Sequence, residues 1–208
     1  MGLNELMAGY GGRAFPLPEI AGKYKGKNLI ICGDALCVWI DLELFGARDN
    51  SGMGKVRKEG WDLMVVNNLG ITFPGTIAHW YSNQPRVIRN AIAARRDEYA
   101  IEFPKDWITH SCNDGADYRW PWGGHGTSGL GAVLVGLGLG YDRIVLCGLP
   151  LDDGPHNGEC HWRKTKFASS EAAGSVRDDR DSHWKRAIEL AFDGKVKSMS
   201  GRTKVWLG

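Results

Sequence analysis

Thr127, Ser128 and Gly129 stand where the stretch GGHGTSGLGAVLVGLGLG, residues 123–140, changes from loop to apolar helix. A helix start offers unpaired backbone N–H groups and a positive dipole end, which suit a phosphate or a carboxylate. The same spacing admits a plainer reading: Thr127 or Ser128 is only an N-cap, and Gly131, Gly136, Gly138 and Gly140 let the helix pack closely. Each interior glycine costs a helix about 1 kcal/mol relative to alanine, so packing or a ligand must offset it. No Lys follows the glycines, as a Walker loop requires, and the segment is not after the first strand, where a dinucleotide fingerprint belongs.

His183, in DSHWK, falls at the first turn of a predicted helix. The dipole there disfavours imidazolium and keeps the ring in the neutral form a general base needs, although a surface histidine has the same sequence context. His156, Cys160 and His161 form a Cys-His cluster whose H-x-x-x-C-H spacing lacks the paired C-x-x-C unit of structural zinc sites. Residues 149–180 show no sustained period, and a loop of that length reads as functional, here as a lid. Within it, Arg163, Lys164 and Lys166 beside Trp162 and Phe167 could close over a nucleotide's phosphates, or be a solvated loop.

These residues need a scaffold. The 208 residues carry 26 Lys and Arg against 24 Asp and Glu, a net charge of +2, which fits one domain and gives little support to tight duplex nucleic-acid binding. The odd number of cysteines, Cys32, Cys37, Cys112, Cys147 and Cys160, predicts free thiols in a reducing cytoplasm. No apolar run approaches the roughly 18 residues of a membrane span, and the N-terminus lacks a signal peptide's pattern. Buried strands are predicted in KNLIICGDAL, around 63–67, around 77–80 and in YDRIVLCG, with a last one in KVKSMSG. Helices are predicted over PRVIRNAIAARRDEYAIEF, over 128–139 and over DSHWKRAIELAFDG, where Asp181 or Ser182 is the expected N-cap. The alternation predicts a single α/β domain over 1–208, a mostly parallel sheet with helices on both faces, preceded by an irregular arm over 1–26. Small polar residues repeat after the strands: Gly33 and Asp34, Asn67 and Asn68, Ser82 and Asn83, and LPLDD after Gly148. In such a sheet this rim is where ligands bind.

The order and spacing of NLIICGDAL, WDLMVVNNL, AHWYSN, GTSGLGAVLVGLGLGYDRIVLCG, DSHW and VKSMSG resemble the motifs of small bacterial sialyltransferases and their relatives, over about residues 28–201. The layout is also similar to archaeal hydroxymethylpterin pyrophosphokinase domains and to short bacteriophage proteins ending in S-M-S-G. The resemblance implies a Rossmann-like nucleotide-binding fold, a cytidine monophosphate sugar as donor, no metal, and the cytoplasm of a bacterial host. It implies that Gly33 and Asp34 form the first-strand loop, Asn67 and the offset Asn83 follow the next strands, and Gly148 opens the loop after YDRIVLC. It also implies that Thr127, Ser128 and Gly129 contact the donor and that His183 is the base. Where the enzymes read G-N-G-P-S and G-I-D, this chain reads G-D-A-L-C and G-L-P. The enzymes' two lid tyrosines have no clear match, and His161, Arg163 or Lys164 could carry their charge stabilisation instead. The pterin-kinase likeness implies a different chemistry, pyrophosphoryl transfer from ATP with Mg²⁺, for which Asp34, Asp152 and Asp153 are the available ligands. The phage likeness leaves room for a nucleotide-binding protein without turnover. The acceptor is not legible, and a homo-oligomer remains compatible.

Overall fold

The computed structural model describes residues 16–48, 56–98, 106–122, 127–152 and 180–208. Its strands are β1 (Asn28–Cys32), β2 (Trp61–Val66), β3 (His79–Tyr81), β4 (Ile108–Ser111), β5 (Tyr118–Arg119), β6 (Arg143–Cys147) and β7 (Val196–Ser198). They form one wholly parallel sheet in the order β5-β4-β3-β2-β1-β6-β7. The helices are α1 (Val38–Leu44), α2 (Leu69–Thr72), α3 (Pro85–Asp97), α4 (Ser128–Leu139), α5 (residues 180–187, running into the π-helical turn Ile188–Phe192) and α6 (Gly201–Leu207). This is a Rossmann-like α/β domain, with the mostly parallel sheet covered on both faces that the strand and helix alternation predicts.

Two expectations change. β4 and β5 are absent from the pattern reading, because ITHS and YR are short and half polar and show no apolar run. Asp181 and Ser182 are not caps: residue 180 is already helical, and the Asp181 carboxylate is taken by the Arg202 guanidinium. Among the described residues no helix is long and apolar enough to cross a membrane.

The sheet has two buried faces. Leu29, Ile31, Met64, Val66, Ile144 and Leu146 pack with α4 and α5, while their alternating neighbours Ile30, Cys32, Leu63, Val65, Val145 and Cys147 pack with α1, α2 and α3. The period-2 alternation of strand side chains sorts the residues between the two cores. On the second face α3 buries Ile88, Ala91 and also Arg95, whose Nη1 donates to the carbonyls of Gly70 (2.7 Å) and Phe73 (2.9 Å) at the end of α2.

α4 has no polar face, and it is buried nearly all round. The sheet lies under it, the stacked pair Trp120 and Trp122 (centroids 5.0 Å apart) and Trp184 of α5 pack around it, and residues 20–27 cross its end as a strap. Gly22 N and Tyr24 N donate to the carbonyls of Gly138 and Leu139, both at 2.9 Å, satisfying two acceptors that a helix end otherwise leaves open. The glycines are what allow this approach. A Cβ at Gly131 would lie 2.1 Å from the Tyr81 hydroxyl, and one at Gly138 would lie 2.4 Å from Trp122 and 2.5 Å from Trp120. Gly140, at φ +94°, closes the helix in the left-handed conformation.

Gly138→Ala is therefore expected to lower stability by about 1–3 kcal/mol through overpacking, reversing the gain of about 1 kcal/mol that the substitution gives in an open helix. Urea denaturation measures it, and a raised midpoint would contradict the packing account.

Candidate functional site

The chain leaves β1 toward β2 and leaves β6 toward β7, in opposite directions across the sheet. The carboxyl ends of β1 and β6 therefore border the switch point at which doubly wound sheets take ligands. Here the two loops interlock. Gly33 N donates to Cys147 O (2.8 Å), Ala35 N to Gly148 O (3.3 Å), and a Cβ on Gly33 would lie 2.3 Å from Gly148 O and 2.4 Å from the Leu149 side chain. Gly148, at φ +68°, leaves no room for a side chain against Val38. Gly33 and Gly148 thus face one another, and the amide of each already has a protein acceptor. Asp34, next in the first loop, is half-buried.

The acceptor for Gly148 N is Asp41 Oδ2 at 2.8 Å, on α1. Asp41 is only 2% exposed, and the same oxygen accepts the Ser200 hydroxyl at 2.7 Å, which in turn sits 3.4 Å from Cys37 Sγ. One buried carboxylate so joins α1, the loop after β6 and the loop between β7 and α6. α6 completes the clamp: the carbonyls of Leu149, Pro150 and Leu151 accept from Thr203 Oγ1 (2.7 Å), Arg202 N (2.9 Å) and the Arg202 guanidinium respectively.

Beside this clamp lies the start of α4. Of the two N-cap candidates, Thr127 and Ser128, Thr127 is the cap, its Oγ1 accepting Leu130 N at 3.3 Å. The same oxygen accepts the indole N–H of Trp184 at 3.2 Å, which seats α5 on the start of α4. Gly129 is pressed between the two: a Cβ there would be 2.8 Å from Leu149 and 3.6 Å from Trp184. The amides of Ser128 and Gly129 belong to the first helical turn, which has no intrahelical acceptors. His183, half-buried, precedes Trp184 on the same turn of α5.

A row of amide and hydroxyl groups continues across the ends of β2, β3 and β4. Asn67, held at φ +52°, accepts the Ser82 hydroxyl through Oδ1 (2.9 Å) and the Trp80 indole through its carbonyl (2.7 Å). Asn83 accepts the Tyr81 hydroxyl at 2.7 Å, and its carbonyl accepts Asn113 Nδ2 at 2.6 Å. Burial pushes the Tyr81 phenol well above its ordinary value, so it stays a donor. It lies beneath Gly131, so Asn83 is tied through one phenol to the first turns of α4.

Of the residues singled out in the sequence, Thr127, Ser128, Gly129 and the His183 turn come together, with Gly33 and Gly148 adjoining through Leu149. Asn67 and Asn83 stand along the same rim. Asp152 is exposed beyond the β6 loop. His161, Arg163, Lys164 and Asp153, like His156 and Cys160, lie outside the described residues. Among the described residues no three His, Cys, Asp or Glu side chains are grouped to hold a metal. Cys32, Cys37, Cys112 and Cys147 are free thiols, and burial raises Cys32, Cys37 and Cys147 above their ordinary values, so these three are not activated nucleophiles. Asp41, Tyr81, Asn113, Ser200 and Thr203 join the site through contacts that no local sequence pattern encodes; only the polar residues of the terminal SMSGRT stretch carry a visible signal.

Comparison with family models, curated proteins and solved structures finds no match to this chain. The fold and the rim define its class: a parallel, Rossmann-like α/β domain with a polar rim where the start of α4 meets α5.

Two substitutions test the rim. Thr127→Val removes the acceptor of both Leu130 N and the Trp184 indole and should cost about 1–2 kcal/mol, whereas Thr127→Ser should stay near wild type. Asp41→Ala strands the Gly148 amide and the Ser200 hydroxyl at a cost of about 2–4 kcal/mol in the same denaturation experiment. Wild-type stability in either Thr127→Val or Asp41→Ala would remove the corresponding contact from the account.

Proposed function

We propose that this protein is a glycosyltransferase that takes a nucleotide-activated sugar, cytidine-linked, in the metal-independent form that the sequence resemblance implies. The observation that carries the reading is the hydrogen bond from the Trp184 indole to Thr127, 3.2 Å long. It keeps the turn bearing His183 beside the one helix start whose T-S-G sequence suits a nucleotide's phosphate.

In the proposed reaction the acceptor hydroxyl attacks the anomeric carbon as His183 takes its proton. The bond from that carbon to the phosphate oxygen breaks, and the nucleoside monophosphate leaves with the electron pair. The Ser128 and Gly129 amides, aided by His161, Arg163 or Lys164, stabilise the phosphate as its charge grows. Asn67 and Asn83, half-buried, offer neutral hydrogen-bonding groups to the nucleoside, with the buried Ser82 orienting Asn67 and the loops of Gly33, Asp34 and Gly148 forming the adjoining wall.

A thermal-shift panel of cytidine, uridine, guanosine and adenosine nucleotides, with and without Mg²⁺, should give its largest shift with cytidine nucleotides, because a bound ligand stabilises by mass action. His183→Ala should abolish transfer and leave that shift nearly intact; loss of the shift would remove the base assignment. Activity that a chelator stops would replace this reading with pyrophosphoryl transfer from ATP. An unchanged nucleotide after long incubation would make the protein a binding module.

A further inference from the structure

On the α4 face of the sheet five side chains form an unbroken line of hydrogen bonds. Trp120 Nε1 donates to His110 Nδ1 (3.1 Å), His110 Nε2 lies 3.0 Å from His79 Nδ1, His79 Nε2 lies 2.8 Å from the Tyr141 hydroxyl, and that hydroxyl donates to Asp62 Oδ2 (2.7 Å). The two ends fix the direction of every link. An indole N–H can only donate, so His110 Nδ1 is bare and Nε2 carries the hydrogen. That hydrogen must go to His79 Nδ1, so His79 also carries its hydrogen on Nε2 and gives it to Tyr141. Both imidazoles are neutral, and four links hold four hydrogens.

A proton added to either imidazole would leave one link with two hydrogens facing each other. Tautomer exchange only moves the conflict along, since Trp120 at the inner end cannot accept. Both histidines are fully buried, at 0% exposure, so no water is at hand to relieve it.

The groups around them offer little compensation. Asp62 faces His79 from β2 through Tyr141, but Lys27 of the strap lies 3.6 Å from that carboxylate. Tyr24 of the strap packs its edge on His79 (5.0 Å between centroids) and lies 5.0 Å from Tyr141, and Tyr118 of β5 stacks on His110 at 6.0 Å. α4 contributes no titratable side chain. Burial is accordingly the main cause that lowers His79 to about 4, and burial followed by His79 holds His110 well below its ordinary value.

We propose that this hydrogen-bonded chain is an acid-sensitive latch, which holds residues 20–27 and the end of α4 on the sheet at neutral pH and releases them when His79 takes a proton. The strap is the natural element to leave, since Tyr24 covers His79 and Tyr141 directly and Lys27 O accepts Asp142 N at 2.9 Å. The sign follows from linkage. A histidine whose folded value lies below its unfolded value of 6.5 contributes stability that is complete above pH 6.5 and is lost as pH falls toward about 4.

Hydrogen exchange of residues 20–27, corrected for the intrinsic pH dependence, should report opening about twentyfold more frequent at pH 5 than at pH 7. His79→Gln, or His110→Gln if that variant does not fold, should flatten the dependence. Imidazole ¹⁵N shifts of the wild type provide a readout that needs no variant: both rings should be neutral Nε2–H tautomers at pH 7. Exchange in the wild type that does not change with pH, a folded variant that keeps the wild-type dependence, an Nδ1–H tautomer at His79, or either ring titrating near 6.5 in the folded protein would overturn the latch.

Discussion

Burying α4 on every side is the constraint from which the rest of the molecule follows. A helix with no polar face must be covered all round, and its sequence, SGLGAVLVGLGL, leaves no side to solvent. The sheet covers one side and Trp120, Trp122 and Trp184 cover others, while the strap over residues 20–27 closes the end by taking two of its terminal carbonyls. Small residues at Gly131 and Gly138 then become necessary, because aromatic rings and a phenol hydroxyl occupy the volume a Cβ would need. The same burial leaves the helix start as the polar part of α4, and the cap, the Trp184 contact and the first amides gather there.

The rim depends on a second, smaller device. A doubly wound sheet leaves its loops after β1 and β6 side by side, and here they interlock through Gly33 and Gly148. Asp41 holds that junction from below, and α6 holds the following three carbonyls from the side. Glycine at these positions serves loop-to-loop contact. The groups left facing outward are the side-chain amides of Asn67, Asn83 and Asn113 and the backbone at the start of α4, a set better matched to a neutral polar ligand with one anionic end than to a highly charged one.

Polar groups are thus used in two different ways on one sheet. At the carboxyl ends Asn67, Asn83 and Asn113 reach the surface above the buried Tyr81, Ser82 and Asp41. On the α4 face, Trp120, His110, His79 and Tyr141 lie deep in the packing, with Asp62 closing the line at its half-buried edge, and they are satisfied only in one tautomeric arrangement. A fully satisfied buried network specifies a unique packing, and it is correspondingly intolerant of one extra proton.

The apolar runs in NLIIC, LMVV and RIVLC, the 128–139 helix and the likeness of alternating strands and helices to a parallel sheet were all legible in the sequence, because period and end signals are local properties. So was a cap at Thr127 or Ser128, which needs only its own helix; the structure gives it to Thr127. β4 and β5 were not, since strands this short and polar are stabilised by pairing with β3 and with each other and carry no pattern of their own. Nor were Asp41 and Ser200 as partners across 159 positions, or His79 and His110 as one hydrogen-bonded unit across 31. A carboxylate, a hydroxyl or an imidazole has the same identity in a list wherever it falls. Its partner, its burial and its tautomer are decided only when the sheet brings distant segments within hydrogen-bonding distance and excludes water from between them.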